Sequence, residues 1–157
     1  MPRDLPKMAI PSVKEILGAD YTEDLQNAFP DIQPPFVPVG TRLLVQLKTP
    51  GNFKKLPNGK ILYFPDESVD AEKFRTQTAL VRATGPAAFR NRATLEPWPE
   101  GDWCGPGEFI RCPMYGGDRI AIALKDEWNR DALFMTMNDS DVIGVIHGDP
   151  LTIKTLL

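Results

Sequence analysis

The sequence predicts an all-β fold: a small barrel with a long inserted loop, preceded by an N-terminal arm with short helices and followed by a C-terminal tail. Short apolar segments separated by turn residues recur from position 38 onward. The chain holds 16 prolines among 157 residues, which limits helix formation. One apolar segment, 60–64, stands alone in a polar stretch between two strand candidates. Because a compact β domain seldom carries so long a connection without a use, this pattern favours a protein that binds a partner.

Residues 1–37 are predicted to form the arm. Ser12 opens a capping-box pattern, and Gly18 would end the short helix that follows it. A second helix is predicted to start near Thr22 and to end at Phe29. Helices this short are not stable alone in water, so contacts with the barrel or with a neighbour must hold them. The predicted anchors are Ile16, Leu17, Leu25 and Phe29.

The barrel is predicted to occupy residues 38–147. Its long loop spans 50–77, and a further insertion at 89–103 contains two tryptophans. The tail, 148–157, is apolar, and we expect it either to cover the barrel or to dock on another subunit. The strand candidates are 41–47, 60–64, 78–84, 108–112, 118–124, 132–137 and 142–146.

Charge disfavours two classes of partner. The formal net charge is −3, and the sequence pI is about 5.2. Nucleic-acid backbones and anionic membranes attract basic surfaces, so neither is expected to be the main partner. No segment approaches the roughly twenty apolar residues of a membrane span.

The residue types that common catalysis and metal binding require are sparse. The only histidine, His147, ends the last strand candidate, and without a second base we predict no catalytic residue. The carboxylates at 66–72 lack the fixed spacing of a calcium loop, and no phosphate-binding glycine loop is present. We therefore predict a non-enzymatic protein with no metal site and no cofactor.

The two cysteines are too few for a zinc motif. In one extended strand Cys104 and Cys112 would lie about 26 Å apart, beyond disulfide reach, whereas a turn at 105–107 would bring them closer. We expect reduced thiols, as in a cytoplasmic product.

The chain's aromatic residues allow two interpretations. A platform for stacking bases or sugars is one, but the acidic charge opposes the binding of bases. Packing in the core and at subunit interfaces is favoured, and Trp98 and Trp103 are the predicted interface aromatics. The residues considered are Trp98, Trp103, Tyr115 and Trp128.

The order of segments resembles the GroES-like co-chaperonin family, whose members cap the chaperonin chamber. Residues 38–45, Pro-Val-Gly-Thr-Arg-Leu-Leu-Val, are similar to the family's opening P-x-x-D-R-V-x-V strand. Residues 59–63, Gly-Lys-Ile-Leu-Tyr, stand where the family has the tip of its mobile loop. Residues 79–86 resemble the strand and turn that follow that loop.

The second half of the barrel carries further resemblance. Residues 107–110, followed by Tyr115-Gly116-Gly117, are similar to the family's V-G-D-x-V segment and its Y-G turn. Residues 133–146 resemble its closing L-I-M-x-E-x-D-I-L-A-I segment, and 89–103 resembles an enlarged roof hairpin. The resemblance implies a GroES-like barrel, and the divergence is typical of a bacteriophage member.

Two functions are compatible with this resemblance. The first is a capsid decoration or cement protein of a bacteriophage, which would bind the shell protein and copies of itself in the virion through its arm, loop and tail. The alternative is a co-chaperonin of the host cytoplasm, whose loop would bind a chaperonin ring. The bulky Tyr63 and Phe64 and the proline that follows them favour a fixed strand over a mobile tip, and so favour the role in the virion. In both cases a homo-oligomer is expected, and the predicted partner-binding residues are Ile61, Leu62, Tyr63 and Phe64.

Overall fold

The computed structural model describes residues 10–49, 53–55, 57–58, 61–63, 76–114, 116–125 and 130–153. These residues form two short helices and eight strands, together with single 3-10 turns. The helices are α1 (Val13–Leu17) and α2 (Glu23–Ala28). The strands are β1 (Arg42–Leu47), β2 (Phe53–Lys55), β3 (Ile61–Tyr63), β4 (Thr78–Thr84), β5 (Phe109–Arg111), β6 (Asp118–Ala123), β7 (Asp131–Asn138) and β8 (Gly144–Val145).

Six of the strands form one antiparallel sheet in the order β6-β7-β1-β4-β5-β8. β1 lies at its centre. It pairs with β7 from Arg42 opposite Asn138 to Leu47 opposite Leu133, and with β4 on its other side. Strands β2 and β3 form a separate two-stranded sheet.

The central strand is apolar on both sides because both faces of the sheet are covered. Successive side chains of a strand point to opposite faces. Leu43, Val45 and Leu47 belong to one apolar core, on what we call the inner face. Leu44 packs on the opposite side, which we call the arm face because the N-terminal residues cover it.

The inner face holds the largest core. Its residues come from β1, β4, β5 and β7 and from the segment after β4, which contributes Phe89 of the insertion and the adjacent Cys104. Each fully buried large side chain of this kind stabilises the fold by about 1.5–3 kcal/mol relative to exposure. The insertion at 89–103 is thus packed against the sheet.

The arm face is covered by the two helices and the chain around them. Val13 of α1, Leu25 and Ala28 of α2, and Phe29 are buried against Leu80 of β4. The Ser12 hydroxyl caps α1 by accepting a hydrogen bond from the amide of residue 15, and Thr22 caps α2 in the same way. The predicted positions of both helices are confirmed.

The tail begins by folding back. Asp149 caps a 3-10 turn at Pro150–Thr152, and Leu151 packs beside the buried residues of the arm. As far as residue 153, therefore, the tail contacts its own chain, and its docking on another subunit stays a prediction. Residues 154–157 lie outside the described part.

The β1–β4 pair contains an irregularity and a close contact. The register of the pair shifts between Leu44 and Val45, which is the signature of a β-bulge. Beyond β4, Gly85 donates its amide hydrogen to the Arg42 carbonyl over 2.7 Å. A Cβ at Gly85 would collide with the carbonyl oxygens of Gly40 and Arg42, so only glycine fits this turn.

The seven predicted strands each coincide with an observed one to within a few residues, although β8 is limited to Gly144–Val145. The structure also contains β2, which was not among the predicted strands. The fold is mostly β, as expected. The division into arm, barrel and tail at positions 37 and 147 stays a prediction.

Candidate partner-binding site

The predicted partner-binding segment lies in a β-hairpin. Ile61–Tyr63 form β3, which pairs antiparallel with β2, so that Tyr63 lies opposite Phe53 and Ile61 opposite Lys55. Phe64 lies outside the described residues. The hairpin belongs to the connection between β1 and β4.

This hairpin is separate from the main sheet. Among the described strands, β2 and β3 pair only with each other. A two-stranded hairpin is at best marginally stable alone in water, and each of its outer edges carries unpaired backbone groups. Such a hairpin gains stability when a partner supplies another strand or an apolar surface.

The predicted arm anchors lie on the arm face. Leu25 and Phe29 are buried, whereas Ile16 and Leu17 are half-buried at the margin of the same cluster. The prediction missed Val13, which is completely buried. Its spacing of three and four residues from Ile16 and Leu17 is the helical signal that would have identified it.

A buried arginine fastens the arm to the sheet. Arg82 of β4 has no solvent exposure. Its Nη1 donates to Oε1 of Gln46 over 2.7 Å and to the Ile32 carbonyl over 3.2 Å. Its Nη2 donates to the Pro11 carbonyl over 3.1 Å. One side chain therefore joins two segments of the arm, at Pro11 and at Ile32, to β1 and β4, and we call it the arm clamp.

Neighbouring polar groups extend the clamp. Gln46 Nε2 donates to the Pro30 carbonyl over 2.8 Å, and the Tyr21 hydroxyl donates to the Phe29 carbonyl over 2.6 Å. Burial, followed by the nearby Asp31 carboxylate, raises the pKa of Tyr21 to about 12. Burial lowers the pKa of the Arg82 guanidinium, and Asp31 opposes that shift. The sequence signal for this cluster was present, because Gln46 and Arg82 are polar residues within apolar strands.

The two predicted interface aromatics pack in a cluster of three rings. Trp98 lies 4.9 Å from Trp103 between ring centroids, and Phe89 lies 5.5 Å from Trp98 and 6.1 Å from Trp103. Phe89 has a positive φ of 59°, which is rare outside glycine. Both tryptophans are only partly buried against the inner core, and their place at a subunit interface stays a prediction. Of the other aromatics considered, Tyr115 and Trp128 lie outside the described residues.

A carboxylate holds this cluster in position. Asp139 is 5% exposed, and it follows β7 directly. Its Oδ2 accepts a hydrogen bond from the Phe89 amide over 2.9 Å, and its Oδ1 accepts one from the Ser140 amide over 2.8 Å. Both oxygens are thus used to fix backbone, including the strained residue.

An open cleft of about 840 Å³ lies beside the ring cluster. The start of β1, the 89–103 insertion and the end of β7 form its walls. Three arginines line it, namely Arg42, Arg90 and Arg92, and Trp98 and Asp139 line it as well. The cleft is therefore a positively charged region on an acidic chain. Sequence reasoning missed it because its walls come from three distant segments.

Candidate chemistry elsewhere is limited. His147 is exposed. Cys104 and Cys112 are free and buried, and burial is the main reason why their pKa values rise to about 12 and about 11. Within the described residues there is no group of histidine, cysteine and carboxylate side chains able to hold a metal ion. The absence of enzymatic activity stays a prediction.

The described helices are all short, and none has the length and apolar character needed to cross a membrane. Comparison of the chain with protein-family models and with curated proteins finds no match.

Proposed function

We propose that this chain is a non-enzymatic bacteriophage structural protein with a GroES-like barrel, which decorates the capsid and stabilises its shell. Its partners in the virion would be the shell protein and copies of itself. The observation that carries the proposal is the β2–β3 hairpin, a formed strand pair held outside the main sheet. A cementing loop requires a strand that stays paired once it is bound, and a hairpin that is already formed suits that requirement.

The hairpin would bind by adding its edge to a neighbouring strand. Edge addition satisfies backbone groups that are otherwise left to water, and the alternate side chains supply specificity. The arm contributes less to this role than the sequence suggested. Its residues from Ile10 to Phe29 pack on the chain's own sheet, and Arg82 holds them there.

The barrel itself is part of the proposal. A bulge strengthens local twist, and the one between Leu44 and Val45 lies at the centre of the sheet, where added twist favours curling. The inner core also gathers residues from β1, β4, β5 and β7, with Val145 of β8 packed against it. We propose that the sheet curls around the inner face into a GroES-like barrel.

A second candidate is a co-chaperonin in the host cytoplasm. The position of the hairpin favours it, because the connection from β1 to β4 is where the resemblance places the mobile loop. In a ring of subunits each hairpin would bind a chaperonin weakly, and the ring would supply avidity.

One double variant tests both functions. Ile61→Asp with Leu62→Asp places two charges on β3, which should weaken attachment to capsids and lower the heat resistance of decorated particles. The matched control is Ala93→Asp with Leu95→Asp, which adds the same charge at two exposed positions beyond the far end of β4. The control should attach like the unaltered protein.

The outcomes separate the candidates. The decoration function is supported if only the β3 variant loses capsid attachment and if neither the unaltered chain nor the β3 variant changes chaperonin ATP turnover. If the unaltered chain inhibits chaperonin ATP turnover and only the β3 variant fails to do so, the co-chaperonin function replaces it. Equal capsid attachment by all three proteins refutes a role for the hairpin in decoration.

A further inference from the structure

We propose that the cleft beside Trp98 is a binding site for a small phosphate-bearing ligand with an aromatic ring, a ligand of the nucleotide class. The site is independent of the β2–β3 hairpin, and the proposed function does not require it. The inference rests on charge, on the position of one guanidinium and on the half-buried ring of Trp98.

The cleft concentrates positive charge, because three guanidinium groups line it against a single carboxylate. Arg42, Arg90 and Arg92 line it together with one carboxylate, Asp139. Asp139 uses both of its oxygens to accept backbone hydrogen bonds. In the described part of the chain, the guanidinium groups of Arg42 and Arg92 have no hydrogen-bond or ion-pair partner. An overall charge of −3 thus coexists with a local surplus of cations.

Backbone geometry makes room for one of these cations. Gly40 has a positive φ of 60°, and a Cβ at this position would lie 2.9 Å from Nη1 of Arg92. The guanidinium therefore occupies the space that a side chain would fill. Arg90 is also oriented, because its Nη1 donates to the Leu95 carbonyl over 3.1 Å. Guanidinium groups with free N–H donors bind phosphate oxygens in a bidentate manner.

Trp98 supplies the second part of the site. This residue packs against Phe89 and Trp103, and it also lines the cleft. A half-buried indole of this kind is a platform on which a planar ring stacks. The volume of about 840 Å³ falls within the usual range for small-ligand sites. Charge and ring together favour a nucleotide over a simple anion.

Calorimetric titration of the full chain with ATP, without magnesium and at about 50 mM salt, tests the proposal. We expect saturable 1:1 binding with a Kd of about 1 mM or tighter. Arg42→Gln with Arg92→Gln should weaken binding about tenfold or more. The control, Lys14→Gln with Lys125→Gln, removes the same charge away from the cleft, and it should change the Kd less than about twofold.

A second titration separates the ring from the phosphates. Inorganic triphosphate should bind about tenfold more weakly than ATP because it cannot stack on Trp98. This comparison needs no variant at a packed residue, so it stays decisive even if Trp98→Leu fails to fold. Equal binding of the two ligands would overturn the nucleotide class. No saturable binding, or equal losses in the arginine and lysine variants, would overturn the site itself.

Discussion

Replacing the buried arginine of the arm clamp is the most direct test of how the arm is held. Arg82→Met keeps most of the length of the side chain and removes its donors. Three acceptors then lose their partner: Oε1 of Gln46 and the carbonyls of Ile32 and Pro11. The Gln46 acceptor is buried, whereas the two carbonyls are only part-buried and can be hydrated, so we expect a loss of about 2 kcal/mol in the free energy of unfolding. That is a large share of the roughly 5–15 kcal/mol typical of a domain.

Urea unfolding followed by tryptophan fluorescence measures this loss. Hydrogen exchange locates it, because the Val13 amide donates to Asp31 within the arm and should lose protection before the sheet does. Arg111→Met is the control: this strand arginine is half-buried, and among the described residues its guanidinium makes one hydrogen bond, to Gln77, which is 3.4 Å long. Its loss should stay below about 1 kcal/mol.

Either of these two measurements, the free energy of unfolding or the exchange at Val13, can refute the role of the clamp. An Arg82→Met protein that loses less than about 1 kcal/mol would show that the clamp contributes no more than an ordinary surface contact. Unchanged exchange at Val13 would refute the reasoning in a second way, because the arm would then be held by its apolar contacts alone.

Four further predictions concern burial and close packing. Cys104 and Cys112 should resist alkylation at pH 8 until the protein unfolds, and rapid modification of the native protein would contradict their burial. The pKa values of these two thiols in the folded protein, about 12 and about 11, lie above the ordinary 9.0. The free energy of unfolding should therefore be at its full value below pH 9 and should fall as pH rises toward 11–12. Unfolding curves recorded at alkaline pH measure this loss. The Tyr21 pKa of about 12 adds a loss above pH 10 that Tyr21→Phe should abolish, and an unchanged curve would exclude this contribution. Gly85→Ala should lower the free energy of unfolding by about 1–3 kcal/mol because the new Cβ would collide with two backbone oxygens. Gly105→Ala is the control, because a Cβ has room there and the change should be nearly neutral. Equal losses in the two variants would refute the clash.

Local sequence patterns were sufficient to predict most elements of the fold. The apolar runs of β1 and β4 and the capping residues Ser12 and Thr22 act over a few neighbouring positions, and the structure contains the elements that they predicted. β2 escaped prediction because Phe53–Lys55 is three residues long and two of them are lysines. Its identity as a strand depends on pairing with β3.

The polar sites were harder to predict because they depend on tertiary contacts. Arg82 was included in an ordinary strand, and nothing in its immediate neighbours shows that Pro11 and Ile32 would meet it. The cleft likewise joins Arg42 to Arg92 and to the end of β7, segments that only the finished sheet brings together. Sequence periodicity carries no information about such contacts between residues that are far apart in the chain.

The central position of β1 has a consequence for biosynthesis. Leu47 leaves the ribosome long before Leu133, the β7 residue opposite it. At about 5–20 residues per second, the β7 side of β1 waits roughly 4–17 s for its partner strand. During this interval a newly made chain exposes an apolar strand edge to other nascent chains. Slower initiation that spaces ribosomes apart on the messenger should therefore raise the soluble yield of this protein.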